Sequence, residues 1–509
     1  MNSKIMSNSI INAVAGLLLL VSGFGCSVIV ARLLGPQANG TIAFALWLAT
    51  TGSLVAELGT GVLLLRLLPQ LKAKGVDERG RRGFAAYLAL PVAVATTILV
   101  LLFGAFCWLG GGVEWIDSTA TAAALTALLL FIQSIGSFTK NYLISEQRLR
   151  TFLHFTSLTS ILQIVIVFAG AYFYGVEGAL IGYIAGQSVF FLYTSGILLT
   201  RPNKAGHTMR ALAGTSVVLF FEFVITAVFL TRPELVFLQH FRGVEQVGFY
   251  AVALSLANLA LQLPVQLTGS LIPFYAERQG TGGSKTSPDI FAGVVRSFSY
   301  ITFPLCFGLA AIAMPLVLAI YGPAFEPAGL IVAIMAVGAP AYVFIQLVTQ
   351  YLYSMDRLKY RLATSGIGAV LMVAGCLFAV PQWGGTGAAV VRDLVFLIMS
   401  VILLRRVDLA GGARELVPVV VKVAAAGALC GFAALTITRM LPGVGGLVAG
   451  IAGGAVVYGL MLRLLAAVPR QDAAMIDSLL TRLPSVLAQV PRLFLGLIAP
   501  YSTTSEATK

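Results

Sequence analysis

This chain has very little charge. Asp, Glu, Lys and Arg make up 10% of its 509 residues, where a soluble domain carries about 25%. Hydrophobic residues make up 58%, and the mean hydropathy is +0.93. No globular core could bury so many apolar side chains, so the chain must fold in lipid. Alternating ten-residue strand segments are lacking, which excludes an outer-membrane barrel. Cysteine is scarce too. Cys26, Cys107, Cys306, Cys376 and Cys430 stand singly in apolar runs without a C-x-x-C pair, so neither a disulfide framework nor a metal knuckle is expected. They read as small buried hydrophobes. The three histidines, His154, His207 and His240, are scattered, and no Gly-Lys dipeptide occurs, which excludes an ATP-binding P-loop. The longest internal loop has about 16 residues, too few for the acid-bearing domain of a membrane glycosyltransferase or polymerase. We therefore expect no enzyme, no catalytic residue, no metal and no cofactor.

What the chain does have is apolar runs of helix-spanning length, about 20 residues each. Read with their polar breaks, they predict an all-α polytopic membrane protein of about 14 transmembrane helices. Helices 1 and 2 fall at 10–31 and 41–67, helices 5 and 6 at 152–174 and 178–200, helices 7 and 8 at 212–233 and 247–272, and helices 11 and 12 at 362–381 and 387–404. The first run is too long for a signal-peptide core and no small-residue cleavage site closes it, so it reads as a retained helix. Of the 33 Lys and Arg, 24 lie at the termini and in the even-numbered connections. The positive-inside rule then places both termini in the cytoplasm of a multi-pass protein, expected in a bacterial cytoplasmic (inner) membrane. The net charge of +13 is a topology signal spread over short segments. Its partners are anionic membrane lipids rather than nucleic acid. The tail, 469–509, carries Pro484, Pro491 and Pro500 in a short apolar run and reads as an interfacial piece with a disordered end.

A polar corner occurs twice. "ARLLGPQANG" (31–40) is followed 208 residues later by "FRGVEQVGFY" (241–250), with Gly35 and Gly40 matching Gly243 and Gly248. "YLISEQRLR" (142–150) returns as "YLYSMDRLK" (351–359), and "GVEGAL" (175–180) as "GGTGAA" (384–389), both at an offset of 209. Three landmarks in one register indicate internal duplication. Each copy has six helices, an even number, so the copies share an orientation and are related by a pseudo-two-fold along the membrane normal. The predicted domains are an N-terminal six-helix lobe (1–205), a C-terminal six-helix lobe (206–410), helices 13–14 (411–468) and the cytoplasmic tail (469–509). Two like lobes facing a central cleft are transporter architecture.

Polar groups at membrane depth are costly unless they face water or a partner, so they mark the candidate cavity. Ser255, Asn258, Gln262 and Gln266 form one stripe on helix 8, and Thr50, Ser53 and Glu57 one on helix 2. The repeat register places the two stripes at matching heights. The alternative is hydrogen-bond glue between helices. Glu57 and Glu222 read as the acidic residues deep in the membrane and suit a proton or sodium carrier. Arg66 and Arg296, near the basic ends of helices 2 and 9, either snorkel or capture an anionic headgroup. Asn12 on helix 1 completes the set.

The stretch 31–71, with the pattern A-R-x-L-G-P-x-x-x-G followed by Glu57, Gly59 and Arg66, resembles the polysaccharide-repeat-unit (Wzx-type) flippases. These belong to the multidrug/oligosaccharidyl-lipid/polysaccharide exporter superfamily. "FPLCFGLAAIAMPLVLAIYGPAFEPAGLIVAIMA" (303–336) is similar to that family's helix 9–10 corner. The resemblance covers most of 1–410. It implies an alternating-access flippase that carries undecaprenyl-diphosphate-linked oligosaccharide repeat units from the cytoplasmic to the outer leaflet for cell-surface or exopolysaccharide biosynthesis. Helices 1, 2, 7 and 8 would line its cavity. The implied partners are a polyprenyl-diphosphate-linked glycan and the polysaccharide polymerase and export machinery. The alternatives within the superfamily are a cation-coupled multidrug or metabolite antiporter and a lipid II flippase. The S-R-x-x-G pattern that closes helix 1 of lipid II flippases is absent here.

Overall fold

The computed structural model describes residues 2–109, 119–204, 220–221, 224–268, 288–354, 358–407, 412–469 and 472–473; of some helical residues, including 2–13, Arg66 and Gln266, it describes the backbone alone. In chain order, α1 (Asn2–Ala56), α2 (Thr60–Ala73), α3 (Glu78–Trp108), α4 (Ala120–Ser145) and α5 (Leu149–Leu198) come first. A π-helical turn (Ala227–Thr231) precedes α6 (Glu234–Arg242) and α7 (Val244–Thr268). The rest are α8 (Pro288–Tyr321), α9 (Glu326–Ser354), α10 (Leu358–Leu404), α11 (Gly412–Met440) and α12 (Val444–Leu464). No strand occurs among the described residues.

Ten of these helices are long and apolar enough to cross a membrane. They contain thirteen of the fourteen predicted spans, because α1, α5 and α10 each hold two. Of the seventh span, 212–233, residues 212–219, 222 and 223 lie outside the described residues. The chain is a multi-pass, all-α membrane protein.

The long helices are hairpins, and glycine makes their corners. Gly175 breaks α5 at φ 61°, ψ −134°, and Gly384 breaks α10 at φ 55°, ψ −133°. L-residues with a Cβ rarely adopt such a backbone. The chain doubles back at each break. A methyl on Gly170 would overlap the Gly178 carbonyl, and one on Gly186 would lie 2.8 Å from the Gln163 Cβ. In one straight helix, residues 163 and 186 would stand about 34 Å apart. Gly35 in α1 (φ 81°, ψ −176°) and Gly243 between α6 and α7 (φ 85°, ψ 171°) form a second matched pair. The duplication expected from sequence is thus written in the backbone: twin glycines adopt twin dihedrals.

Two breaks differ from the expected continuous spans. Helix 2 is interrupted at Leu58 (φ 51°) and Gly59 (φ 73°), between α1 and α2. The Thr60 hydroxyl and the Thr60 N–H both reach the Glu57 carbonyl, at 2.7 and 2.8 Å, and so seal the break. The π-helical turn at Ala227–Thr231 marks the other, next to Pro233, which cannot donate to the helix ladder.

The chain divides into two compact units. One comprises Met1–Ser255 with Ser365–Ala388, the other Leu256–Thr364 with Ala389–Lys509. The first unit holds two apolar cores. One, near the basic ends of its helices, gathers Leu64, Leu68, Phe84, Phe138, Tyr142 and Phe152. The other, near the corners, gathers Cys26, Val30, Ile42, Leu129, Val167 and Leu180. In the second unit, Phe303, Val423, Ala426, Cys430, Tyr458 and Leu462 pack together. Cys26, Cys306, Cys376 and Cys430 are buried and Cys107 is half-buried, all as free thiols.

Candidate functional site

The break in helix 2 places Glu57 where the helix has no regular ladder. Its carboxylate faces the Ser137 hydroxyl of α4, with the Lys140 charge on the same helix at longer range. Gly61, one turn on, leaves room for this group: a methyl there would overlap the Asn141 amide and stand 3.2 Å from Glu57 Oε2. About two turns before Glu57, the Thr50 hydroxyl accepts a 3.0 Å hydrogen bond from Gln133 Nε2. Gln133, Ser137, Lys140 and Asn141 fall at i, i+4, i+7 and i+8 on α4, one face of the helix. The stripe on helix 2 therefore has a polar counterpart on α4. Ser53, between Thr50 and Glu57, is buried. Sequence reading passed over the α4 residues, although their spacing within an apolar run carried the signal.

On α7, Ser255 donates to the Ala251 carbonyl of its own helix at 2.9 Å. Asn258 and Gln262 follow on the same face, both half-buried. Asn12, Arg66 and Gln266 sit on α1, α2 and α7, but their side chains lie outside what is described, as does Glu222 altogether. Arg296 is buried on α8, and its guanidinium forms a two-pronged ion pair with Asp472, both bonds at 2.8 Å. Tyr300 donates to the same carboxylate at 2.9 Å, and the Tyr458 hydroxyl donates to the Tyr300 carbonyl at 2.7 Å. A guanidinium so engaged neither snorkels nor stands open to a headgroup.

Two acidic groups join Glu57 that the sequence reading did not single out. Asp393 lies within the predicted span 387–404 and packs directly over Gly338 of α9. Glu234 is fully buried at the start of α6. Among the described residues, no group of three or more His, Cys, Asp and Glu could hold a metal ion.

The basic end of the first unit is held by charge. Arg81 pairs with Glu146 at 2.8 and 3.0 Å and also donates to the Val76 carbonyl at 2.5 Å. The Glu146 carboxylate raises the Arg81 pKa above its ordinary value. Arg148 pairs with Glu78 at the surface, and this hydrogen bond holds the Glu78 carboxyl below its ordinary range. The Arg82 guanidinium donates to the Gly196 carbonyl at 2.9 Å, and the Asn203 N–H to the Gly83 carbonyl at 3.0 Å. These bonds tie the starts of α3 and α5 to the end of α5.

At the other end of the first unit the two glycine corners meet. A methyl on Gly40 would overlap the Val244 carbonyl, and one on Gly248 would overlap the Pro36 carbonyl. The offset of 208 turns Pro36 into Val244 and Gly40 into Gly248, so the contact is reciprocal. Such an isologous contact is what a two-fold axis produces. Asn39 adds a 3.1 Å hydrogen bond to the Gly248 carbonyl.

A polytopic bundle with a duplicated helical corner, a discontinuous helix and a carboxylate at its break defines the class: a membrane-transporter fold. The chain belongs to the polysaccharide biosynthesis protein family, whose model matches residues 29–330. No curated protein matches it in sequence. The fold is similar to that of a lipid II flippase, MurJ, in an inward closed conformation, with TM-score 0.68 at 15% identity, over 89% of this chain and 98% of that one. It is also similar to an inward-facing multidrug resistance MATE family transporter of the MOP superfamily, with TM-score 0.58 at 14% identity, over 78% and 96% of the two chains. The Vibrio cholerae MATE transporter VcmN matches with TM-score 0.54 at 13% identity, over 80% and 98%.

Proposed function

We propose that this chain is a flippase for undecaprenyl-diphosphate-linked oligosaccharide repeat units, moving them from the cytoplasmic to the outer leaflet of a bacterial inner membrane. Membership of the polysaccharide biosynthesis family over 29–330 is the observation that carries the reading. The cargo's polyprenyl tail stays in lipid while its polar head needs a lined path, which is the task the polar stripes of helices 2 and 8 suit. Thr50, Ser53, Glu57, Ser255, Asn258, Gln262 and Gln266 are the cavity residues of this reading, with Asn12, Arg66 and Glu222 beside them. The two six-helix lobes, 1–205 and 206–410, alternate access around the axis that the reciprocal Gly40–Gly248 contact supports. Helices 13–14 (411–468) lie outside the repeat. Both termini are cytoplasmic, and the chain works as a carrier, not an enzyme, with a polymerase and export machinery taking the product.

Native mass spectrometry of the purified protein tests this reading. A co-purified polyprenyl-diphosphate glycan is expected; a preparation with only phospholipid adducts would oppose it. A second reading, a cation-coupled antiporter, is favoured by one observation: Glu57 sits at a helix break facing Ser137, with the Lys140 charge at longer range. Proton-coupled dye efflux lost in Glu57→Gln would support it over the flippase.

A further inference from the structure

We propose that the pocket beside the Gly35 corner binds a small alkylguanidinium or alkylammonium cation. The argument comes from comparing this corner with its twin, and it stands apart from the transported cargo. In the second copy, Arg242 precedes Gly243 and reaches across to the Gly384 corner. Its Nη2 donates to the Pro381 and Gln382 carbonyls at 2.6 and 2.7 Å, and its Nε to the Val380 carbonyl at 3.3 Å. Gln246 completes the plug by accepting the Gly385 N–H at 3.1 Å. The space between these two corners is therefore filled by a guanidinium and an amide of the chain itself.

The first copy keeps the frame and lacks the plug. The offset of 208 puts Leu34 where the twin has Arg242, and Ala38 where it has Gln246. Both line a cavity of about 330 Å³ with Gln37, Thr119, Val176 and Glu177. Val176 and Glu177 follow Gly175 as Gly385 and Thr386 follow Gly384. Where the twin has the neutral Thr386, this pocket has the Glu177 carboxylate, fixed by a 2.7 Å bond from the Thr119 hydroxyl. Thr119 in turn caps α4 by accepting the Ala122 N–H at 3.1 Å, so the carboxylate is held on a rigid element. Arg32, the corner's own cation, is not among the residues lining the pocket.

The pocket thus offers a fixed carboxylate, and among the described residues no cationic side chain lines it. A ligand that restores what Arg242 supplies to the twin needs a cationic head with several N–H donors and a short apolar stem to lie against Leu34 and Val176. A carboxylate at the rim disfavours anions, and a neutral alcohol would leave Glu177 without charge complement.

The test is thermal unfolding of the purified full-length protein with n-butylguanidinium, and with n-butanol as the neutral counterpart. Butylguanidinium at saturation should raise the wild-type midpoint by about 1–3 °C, and butanol should not. Glu177→Gln should weaken the apparent affinity about tenfold. Leu34→Arg copies the twin's plug into the pocket: it should raise the midpoint without ligand and abolish the response to butylguanidinium. Ala38→Gln closes the same space with a smaller change and should also abolish the response. No shift in the wild type, an equal shift with butanol, or an undiminished shift in Leu34→Arg or Ala38→Gln would each overturn the proposal.

Discussion

Each compact unit holds a buried ion pair, and the two are built differently. Arg81–Glu146 joins residues 65 apart, with side chains 11% and 3% exposed, entirely within the first copy of the repeat. Arg296–Asp472 joins residues 176 apart, with side chains 8% and 4% exposed, and its acid comes from the segment after α12. The positions that match Arg81 and Glu146 at an offset of 209 are Ile290 and Met355, neither charged. The glycine corners of the two copies therefore match in backbone conformation, while the charged clamps do not. Backbone corners are dictated by geometry that any copy needs. Clamps answer to what each copy must hold: in one case its own α3, α4 and α5, in the other the segment that leaves α12.

The largest effect should come from unbalancing either clamp. Asp472→Ala or Glu146→Ala leaves a buried guanidinium without its acid and should cost about 3–5 kcal/mol in thermal unfolding of detergent-solubilised protein. The double replacement Arg296→Met with Asp472→Leu should recover most of that loss. If the single and double changes were equally damaging, the clamp would owe its value to packing instead of charge. Next come the corners. Gly35→Ala forces a Cβ into a backbone region that glycine almost alone occupies, and should cost about 1–3 kcal/mol. Gly243→Ala should cost the same within error if the copies are equivalent here. A smaller change is expected from Gln133→Ala, about 1 kcal/mol for the lost bond to Thr50. The smallest is the pH effect of Glu78. Its folded-state pKa lies below the unfolded one, so its contribution is present above the unfolded value, about 4.3, and fades as pH falls through the folded value. Glu78→Gln should remove that acid dependence, with its small cost seen at neutral pH and vanishing in acid, where the wild-type carboxyl is already protonated.

Much of this architecture was legible in the sequence. Apolar runs give the spans because lipid leaves the backbone no alternative to helix. The offsets of 208 and 209 pair all four corner glycines, Gly35 with Gly243 and Gly175 with Gly384. The break at Leu58–Gly59 was not legible, since a single left-handed pair barely alters the hydropathy of a long window. Arg296 carried a local signal, a cation near a helix end, that fits snorkelling, headgroup capture or pairing alike. Only the fold brings Asp472 to it. The tail beyond 473, read as interfacial, lies outside the described residues. For the polar stripes the expectation was a cavity or inter-helix glue. The Thr50–Gln133 bond shows that one stripe member is tied to a neighbouring helix, and function has to be measured for the rest.

Leaflet transfer in proteoliposomes is the most direct test of the central claim. A polyprenyl-diphosphate oligosaccharide placed in one leaflet should become accessible to a glycan-cleaving enzyme on the far side only when the protein is present, and Asn258→Leu and Gln262→Leu should slow that transfer while the protein stays folded. Transfer no faster than in protein-free vesicles, for every polyprenyl-diphosphate glycan offered, would contradict the account.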